Sequence, residues 1–97
     1  MNIKEQEALI SKVEGFLRER FGKDEELVFR TGEDAVQYSE YASKDHPWLA
    51  IDGSSLYGLL NYGDDAWEFK NAFDEFLRGI GFFFQLGYAW DITFYEI

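Results

Sequence analysis

The sequence contains no cysteine, one proline and one histidine among its 97 residues. Without cysteine, disulfide bonds, thiolate catalysis and cysteine-ligated zinc or iron–sulfur sites are excluded. The single histidine, His46, is the only side chain whose unperturbed pKa lies near neutral pH. No repeat, low-complexity tract or proline-rich linker divides the chain. We therefore expect one domain over residues 1–97.

Basic residues are also scarce, with 9 Lys and Arg against 19 Asp and Glu and a formal net charge of −10. This balance excludes direct nucleic-acid binding through phosphate neutralisation and polybasic attachment to a membrane. Glu5 and Glu7 near the amino terminus do not fit a secretory signal. The most apolar stretch, residues 79–90, is shorter than the ~20 residues that span a bilayer. We expect a cytoplasmic protein.

Hydrophobic spacing predicts two long helices. Residues 3–21 carry an apolar stripe, with Asn2 and Glu5 placed for a capping box and Gly22 as the terminating residue. Residues 65–79 carry phenylalanines at helical spacing behind a second capping box of Asp65 and Glu68. Residues 54–63 have two readings, a strand after an Asp52–Gly53 hairpin turn or a short helix capped by a serine. The leucine spacing favours the helix.

Short strands are predicted at residues 27–31, 36–41, 48–52 and 82–85, and in the alternating tail at 88–95. The tail is expected to lie at or near the centre of the sheet, with Gly87 at a turn or bulge before it. Two helices and about four short strands predict an α+β fold. In this single two-layer domain, the helices near 3–21 and 65–79 pack on an antiparallel sheet.

Catalytic and metal-binding readings compete with simpler ones. His46 beside Asp45 would act as a general base on Ser54 or Ser55, or it is a loop histidine before Pro47. Acidic pairs such as Asp64–Asp65 would hold Mg²⁺ or Ca²⁺, or they solvate turns and cap helices. No EF-hand, phosphate-loop or dinucleotide-binding spacing occurs. We favour the simpler readings and expect no enzymatic activity, no metal and no cofactor.

Aromatic residues and charge are the two unusual features. Aromatic residues make up 20% of the chain; the phenylalanines of residues 65–79 suit a core, and the tyrosines suit either a core edge or an interface. Residues 1–23 have five basic and four acidic side chains, whereas residues 24–97 have four basic and fifteen acidic ones. The excess negative charge of residues 24–97 either keeps the protein soluble or is complementary to a basic partner.

In size and charge the chain resembles small acidic inhibitors, namely phage anti-restriction or anti-CRISPR proteins and toxin-immunity proteins. The resemblance implies a protein-binding module that covers the basic surface of a nuclease or toxin. Carboxylates would pair with arginine or lysine, and aromatic anchors would form the desolvated centre. The predicted partner-binding residues are Glu33, Asp34, Glu40, Tyr41, Asp45, Tyr62, Asp64, Asp65 and Glu68.

Two alternatives come from other classes. The first is a structural or oligomerising subunit, in which the strand at 88–95 pairs across a homodimer or the first helix packs on its copy. The second is a small-ligand binding domain whose aromatic pocket uses aspartate and His46.

Overall fold

The computed structural model describes residues 1–62 and 66–97. Within these residues the chain forms an α+β fold with four helices and a four-stranded antiparallel sheet, which confirms the predicted class. The elements, in chain order, are α1 (Ile3–Phe21), β1 (Val28–Arg30), α2 (Gly32–Ala35), β2 (Trp48–Ala50), α3 (Ser55–Asn61), α4 (Ala66–Gly79), β3 (Phe82–Leu86) and β4 (Asp91–Glu96). No helix among the described residues is both long and apolar enough to cross a membrane.

The sheet has the strand order β1-β2-β4-β3. β4 therefore lies between two strands, as the alternating tail predicts. Leu49 of β2 pairs with Ile92 of β4, and Phe84 of β3 pairs with Phe94 of β4. Because both edges of β4 are occupied, the hypothesis that this strand pairs across a dimer is wrong. The two edge strands of the sheet are β1 and β3.

The main core lies between one face of the sheet and the helices α1, α3 and α4. Leu17 of α1, Phe73 of α4 and Ile92 of β4 are completely buried there. The ring of Phe73 stacks on Phe84 with centroids 5.0 Å apart. Each large apolar side chain buried in this way contributes about 1.5–3 kcal/mol relative to an exposed one. This layer therefore supplies most of the driving force for folding.

The helix ends follow the local signals. Asn2 and Glu5 form the expected capping box at the start of α1, and Gly22 ends that helix with a φ of 99°. Ser54 caps α3 by accepting from the backbone N–H of Leu56, which confirms the helical reading of this segment. The predicted cap at Asp65 lies outside the described residues.

Two local predictions on the other side of the sheet are wrong. Residues 36–41 form no strand; the chain makes the short helix α2 and then turns, with local backbone bonds such as Ser39 N–H to the Ala35 carbonyl. β4 begins at Asp91, so Tyr88 precedes it in a turn. Trp90 packs with the residues on the opposite face from Ile92, not on the same face as expected.

The face of the sheet opposite the three larger helices is covered in part by residues 31–47, which we call the outer segment. Ala35 and Ala42 of this segment pack against Trp48, Ala50 and Trp90 in a second, smaller apolar cluster. The outer segment joins two neighbouring antiparallel strands and crosses their surface. It contains five of the nine predicted partner-binding residues.

Candidate binding surface

A buried carboxylate attaches the outer segment to the sheet. Asp91, at the start of β4, is completely buried. Its Oδ2 accepts hydrogen bonds from the Ser39 hydroxyl at 2.5 Å and the Trp48 indole N–H at 2.9 Å. Its Oδ1 accepts from the backbone N–H of Tyr88 at 2.6 Å. Since burying a charge is costly unless it is hydrogen-bonded, these three donors hold the segment, the sheet and the β3–β4 turn in one arrangement.

A second anchor connects the outer segment to α1. The side chain of Gln6, also buried, accepts from the backbone N–H of Gly32 at 2.8 Å and donates to the carbonyl of Met1 at 3.0 Å. Gly32 packs so closely that a Cβ there would lie 2.0 Å from the carbonyl oxygen of Ser43. The close packing therefore fixes the start of α2 against the backbone of residues 43–46.

Five aromatic rings form a continuous chain across this face. Tyr38 lies 6.4 Å from Trp48, Trp48 lies 6.0 Å from Trp90, and Trp90 stacks at 5.5 Å on Tyr88. Tyr88 then meets Tyr41 edge to face at 4.8 Å. The two tryptophans are the more buried rings of this chain. The tyrosines are accessible, with 53% of Tyr38, 50% of Tyr41 and 39% of Tyr88 exposed.

Charged side chains contact two of these tyrosines, Tyr38 and Tyr88, and hold them in place. The Arg30 guanidinium lies 4.0 Å from the centre of the Tyr38 ring and donates to Asp34 at 2.8 Å. The Tyr88 hydroxyl donates to the carboxylate of Glu40. This hydrogen bond raises the pKa of Tyr88 to about 12, because losing the phenol proton would place two negative charges together.

The structure separates the predicted partner-binding residues into two groups. Glu33, Asp34, Glu40, Tyr41 and Asp45 lie in the outer segment, and the Asp34 carboxylate is paired with Arg30. Tyr62 follows α3, with 75% of its side chain exposed, and Glu68 is exposed on α4. Asp64 and Asp65 lie outside the described residues.

A hydrogen bond connects the end of α3, beside Tyr62, with the β3–β4 turn: the Asn61 amide donates to the carbonyl of Ala89 at 2.9 Å. That turn also carries Tyr88, whose ring meets Tyr41.

The predicted partner-binding residues omit Tyr38 and Tyr88 of this surface and the buried Asp91 beneath it. Asp91 had a recognisable signal, because it is the one charged residue in the mostly apolar and aromatic run 79–94. An acidic residue in such a run marks a buried, hydrogen-bonded carboxylate. Tyr38 and Tyr88 had no comparable signal, since their neighbours are distant in sequence.

His46 and Ser54 do not hydrogen-bond to each other, as the catalytic alternative to a loop histidine would require. The Ser54 hydroxyl caps α3 and donates to the Ile51 carbonyl. His46 instead lies between two other residues, with Nδ1 2.9 Å from the Ser43 hydroxyl and Nε2 2.7 Å from the Glu96 carboxylate. Ser43 and His46 belong to one turn, and neither lines the groove at Tyr41 or the two cavities beside the start of α1.

Cavities and possible metal ligands in the described part of the chain bear on the small-ligand and metal-binding readings. The groove lined by Tyr41, Gln85 and Tyr95 has a volume of about 160 Å³, and the two cavities beside the start of α1 have volumes of about 280 and 430 Å³. Only the cavity of about 430 Å³, lined by Gln6, Glu33 and Lys44 among others, exceeds the ~300 Å³ at which ligand pockets begin. Residues 1–62 and 66–97 contain no group of three or more His, Asp or Glu side chains that could hold a metal ion.

In comparisons with known proteins, no family model, no curated protein and no solved structure matches this chain.

Proposed function

We propose that this protein is a small acidic binding module that covers a basic, nucleic-acid-binding surface of a partner protein. The observation that carries the proposal is a group of exposed side chains that contact one another or their neighbours: Tyr38, Glu40, Tyr41 and Tyr88. We call this group the tyrosine surface.

Rigid tyrosines favour binding for two reasons. A tyrosine has few rotatable bonds and buries a large apolar area while its hydroxyl still finds a polar partner. Tyr41 and Tyr88 also contact each other, and the Glu40 carboxylate holds the Tyr88 hydroxyl. Because these contacts exist before binding, little side-chain entropy remains to be lost when a partner covers the surface.

The charge of the chain favours a basic partner. Residues 24–97 carry fifteen acidic and four basic side chains, and the tyrosine surface lies within them. Glu33, Glu40 and Asp45 of the outer segment are exposed. Such a field attracts a positively charged surface over about one Debye length and discourages other acidic proteins.

A nuclease or a toxin with a basic groove is the proposed partner class. Carboxylates such as Glu40 would pair with the arginine and lysine side chains that otherwise hold phosphates, with Tyr41 at the centre of the contact. Binding of this kind excludes nucleic acid from the groove, which is inhibition by competition.

The test measures affinity between this protein and purified nucleic-acid-binding proteins, beginning with nucleases and toxins encoded beside its gene. We expect affinity to fall steeply between about 0.05 and 0.5 M salt and nucleic acid to compete for the same surface. Tyr41→Ser should weaken binding about tenfold or more, and Glu40→Gln should act mainly on the association rate.

Two further variants locate the contact. Glu75→Gln makes the same charge change on exposed α4 and should leave affinity within about twofold. Tyr62→Ser tests whether the contact extends to Tyr62, the predicted partner-binding residue that follows α3. Binding that ignores salt, or that is unchanged by both Tyr41→Ser and Glu40→Gln, contradicts the proposal.

A further inference from the structure

The edge strand β3 has one row of backbone groups that face away from the sheet. The hydrogen bonds of β4 fix the alternation, because the Phe94 N–H donates toward β2 at Pro47 while the Ile97 N–H donates toward β3 at Gly81. In an antiparallel pair, successive residues point to opposite sides. Phe83 and Gln85 therefore bond to β4, and Phe82, Phe84 and Leu86 direct their N–H and carbonyl groups outward.

Within residues 1–62 and 66–97 these outward groups have no hydrogen-bond partner. Natural sheets protect such an edge with charges, proline, bulges or a very short strand. The opposite edge strand, β1, has three residues and includes Arg30. β3 has five residues, Phe-Phe-Phe-Gln-Leu, and carries no charge and no proline.

The charge distribution and the symmetry of this edge both permit a second copy to bind there. Residues 79–90 contain no charged side chain, although the whole chain has a net charge of −10. Two copies of this protein repel each other over most of their surface, and the repulsion is weakest where both present this uncharged segment. The outward groups of Phe82, Phe84 and Leu86 are spaced symmetrically about Phe84, so the edge is complementary to a second copy of itself.

We propose that β3 pairs antiparallel with β3 of a second copy, about a two-fold axis at Phe84, and joins two four-stranded sheets into one. Phe84 then bonds with Phe84 of the second copy, and each Phe82 bonds with Leu86 across the interface. All the outward groups of β3 are satisfied, through about six backbone hydrogen bonds. The half-buried Phe82, Phe84 and Leu86 side chains lose further exposure to water.

This dimer stands independently of the tyrosine surface and of any basic partner. Because a five-residue edge makes a small interface, association should depend on concentration between about 10 µM and 1 mM. Sedimentation equilibrium over that range should show the mass rising from 11.4 kDa toward twice that value. A mass that remains monomeric at about 1 mM overturns the proposal, and so does open-ended growth.

Amide hydrogen exchange locates the interface. The amides of Phe83 and Gln85 should be protected at every concentration, whereas those of Phe82, Phe84 and Leu86 should become protected only as the dimer forms. A dimer in which these three amides exchange freely overturns the proposal, because the contact then lies elsewhere.

A pair of variants at one position supplies the matched control. Leu86→Pro removes an outward N–H while leaving the bonds between β3 and β4 in place, and should raise the dimer dissociation constant about tenfold or more. Leu86→Ala shortens the same side chain and keeps the N–H, so it should dimerise more tightly than Leu86→Pro. Equal dissociation constants for the two variants overturn the proposal. The exchange measurement on the unaltered chain decides the matter if Leu86→Pro does not fold.

Discussion

The hydroxyl of Ser39 donates a 2.5 Å hydrogen bond to the buried carboxylate of Asp91, 52 residues later in the chain. This bond joins the outer segment to the central strand of the sheet. The same carboxylate also receives the indole N–H of Trp48. The position of the tyrosine surface therefore depends on one side chain that is itself inaccessible to a partner.

Replacing Asp91 should destabilise the fold although the change is isosteric. In Asp91→Asn an NH₂ group replaces one of the two carboxylate oxygens. At least one of the three donors, from Ser39, Trp48 and Tyr88, then loses its acceptor. We expect the free energy of unfolding to fall by about 2–4 kcal/mol in urea denaturation. The control is Asp45→Asn, an exposed site, with a change within about 0.5 kcal/mol. Equal effects at the two positions would show that the Asp91 bonds contribute nothing.

The same substitution at two glycines should have opposite effects. At Gly32 an added Cβ would lie 2.0 Å from the Ser43 carbonyl oxygen, so Gly32→Ala forces backbone apart and should cost about 3 kcal/mol. At Gly15, on the exposed side of α1, a Cβ meets nothing within 4 Å, and Gly15→Ala should stabilise the protein by about 0.5–1 kcal/mol. Thermal denaturation of both variants measures the difference, and a neutral Gly32→Ala would contradict the close packing.

Tyr88 should ionise later than an ordinary tyrosine. Its bond to Glu40 raises the pKa of the hydroxyl to about 12. A pKa raised in the folded state stabilises the protein below the unfolded value of about 10, and this contribution is lost as pH rises through about 12. NMR titration of the ring carbon resonances of Tyr88 measures this pKa. Glu40→Ala should lower the Tyr88 pKa toward 10, whereas Glu33→Ala should leave it unchanged; a Tyr88 pKa that stays high in Glu40→Ala would exclude this bond as its cause.

Glu96 should make stability sensitive to acid. Its own backbone N–H and the His46 ring hold the pKa of this carboxyl below its usual value. A lowered pKa stabilises the folded state above the unfolded value of about 4.3, and the contribution is lost as pH falls through the folded value. Unfolding free energies at pH 7 and pH 3 should therefore differ less in Glu96→Gln than in the unaltered chain. Glu75→Gln, which changes an exposed carboxylate, should retain the full difference.

Several elements could be predicted because their signals are local. The capping box of Asn2 and Glu5, the apolar stripe of α1 and the serine cap of α3 each involve residues within a few positions of one another. Alternation of side chains also identified β4, because the apolar Ile92 and Phe94 alternate with the polar Asp91 and Thr93. The sequence shows which residues of the candidate site are acidic, but it does not show which side chains they contact.

The outer segment could not be predicted because its structure depends on distant partners. Alternating Val36 and Tyr38 predicted a strand, yet Val36 is exposed and the backbone bonds of this region are those of a helical turn. What holds the segment is Gln6 on one side and Asp91 on the other. Neither contact leaves a periodic pattern in the sequence.

By itself, the sequence determined the α+β class, the long helices, the central position of the last strand and the acidic character of the body. Those properties follow from periodicity, capping and composition, which act over short distances or over the whole chain. Only the tertiary structure decided that Tyr38, Tyr41 and Tyr88 share one face, and that β3 has a free edge. The shared face depends on the buried Asp91 carboxylate, which joins residues about fifty positions apart. The free edge of β3 depends on the strand order.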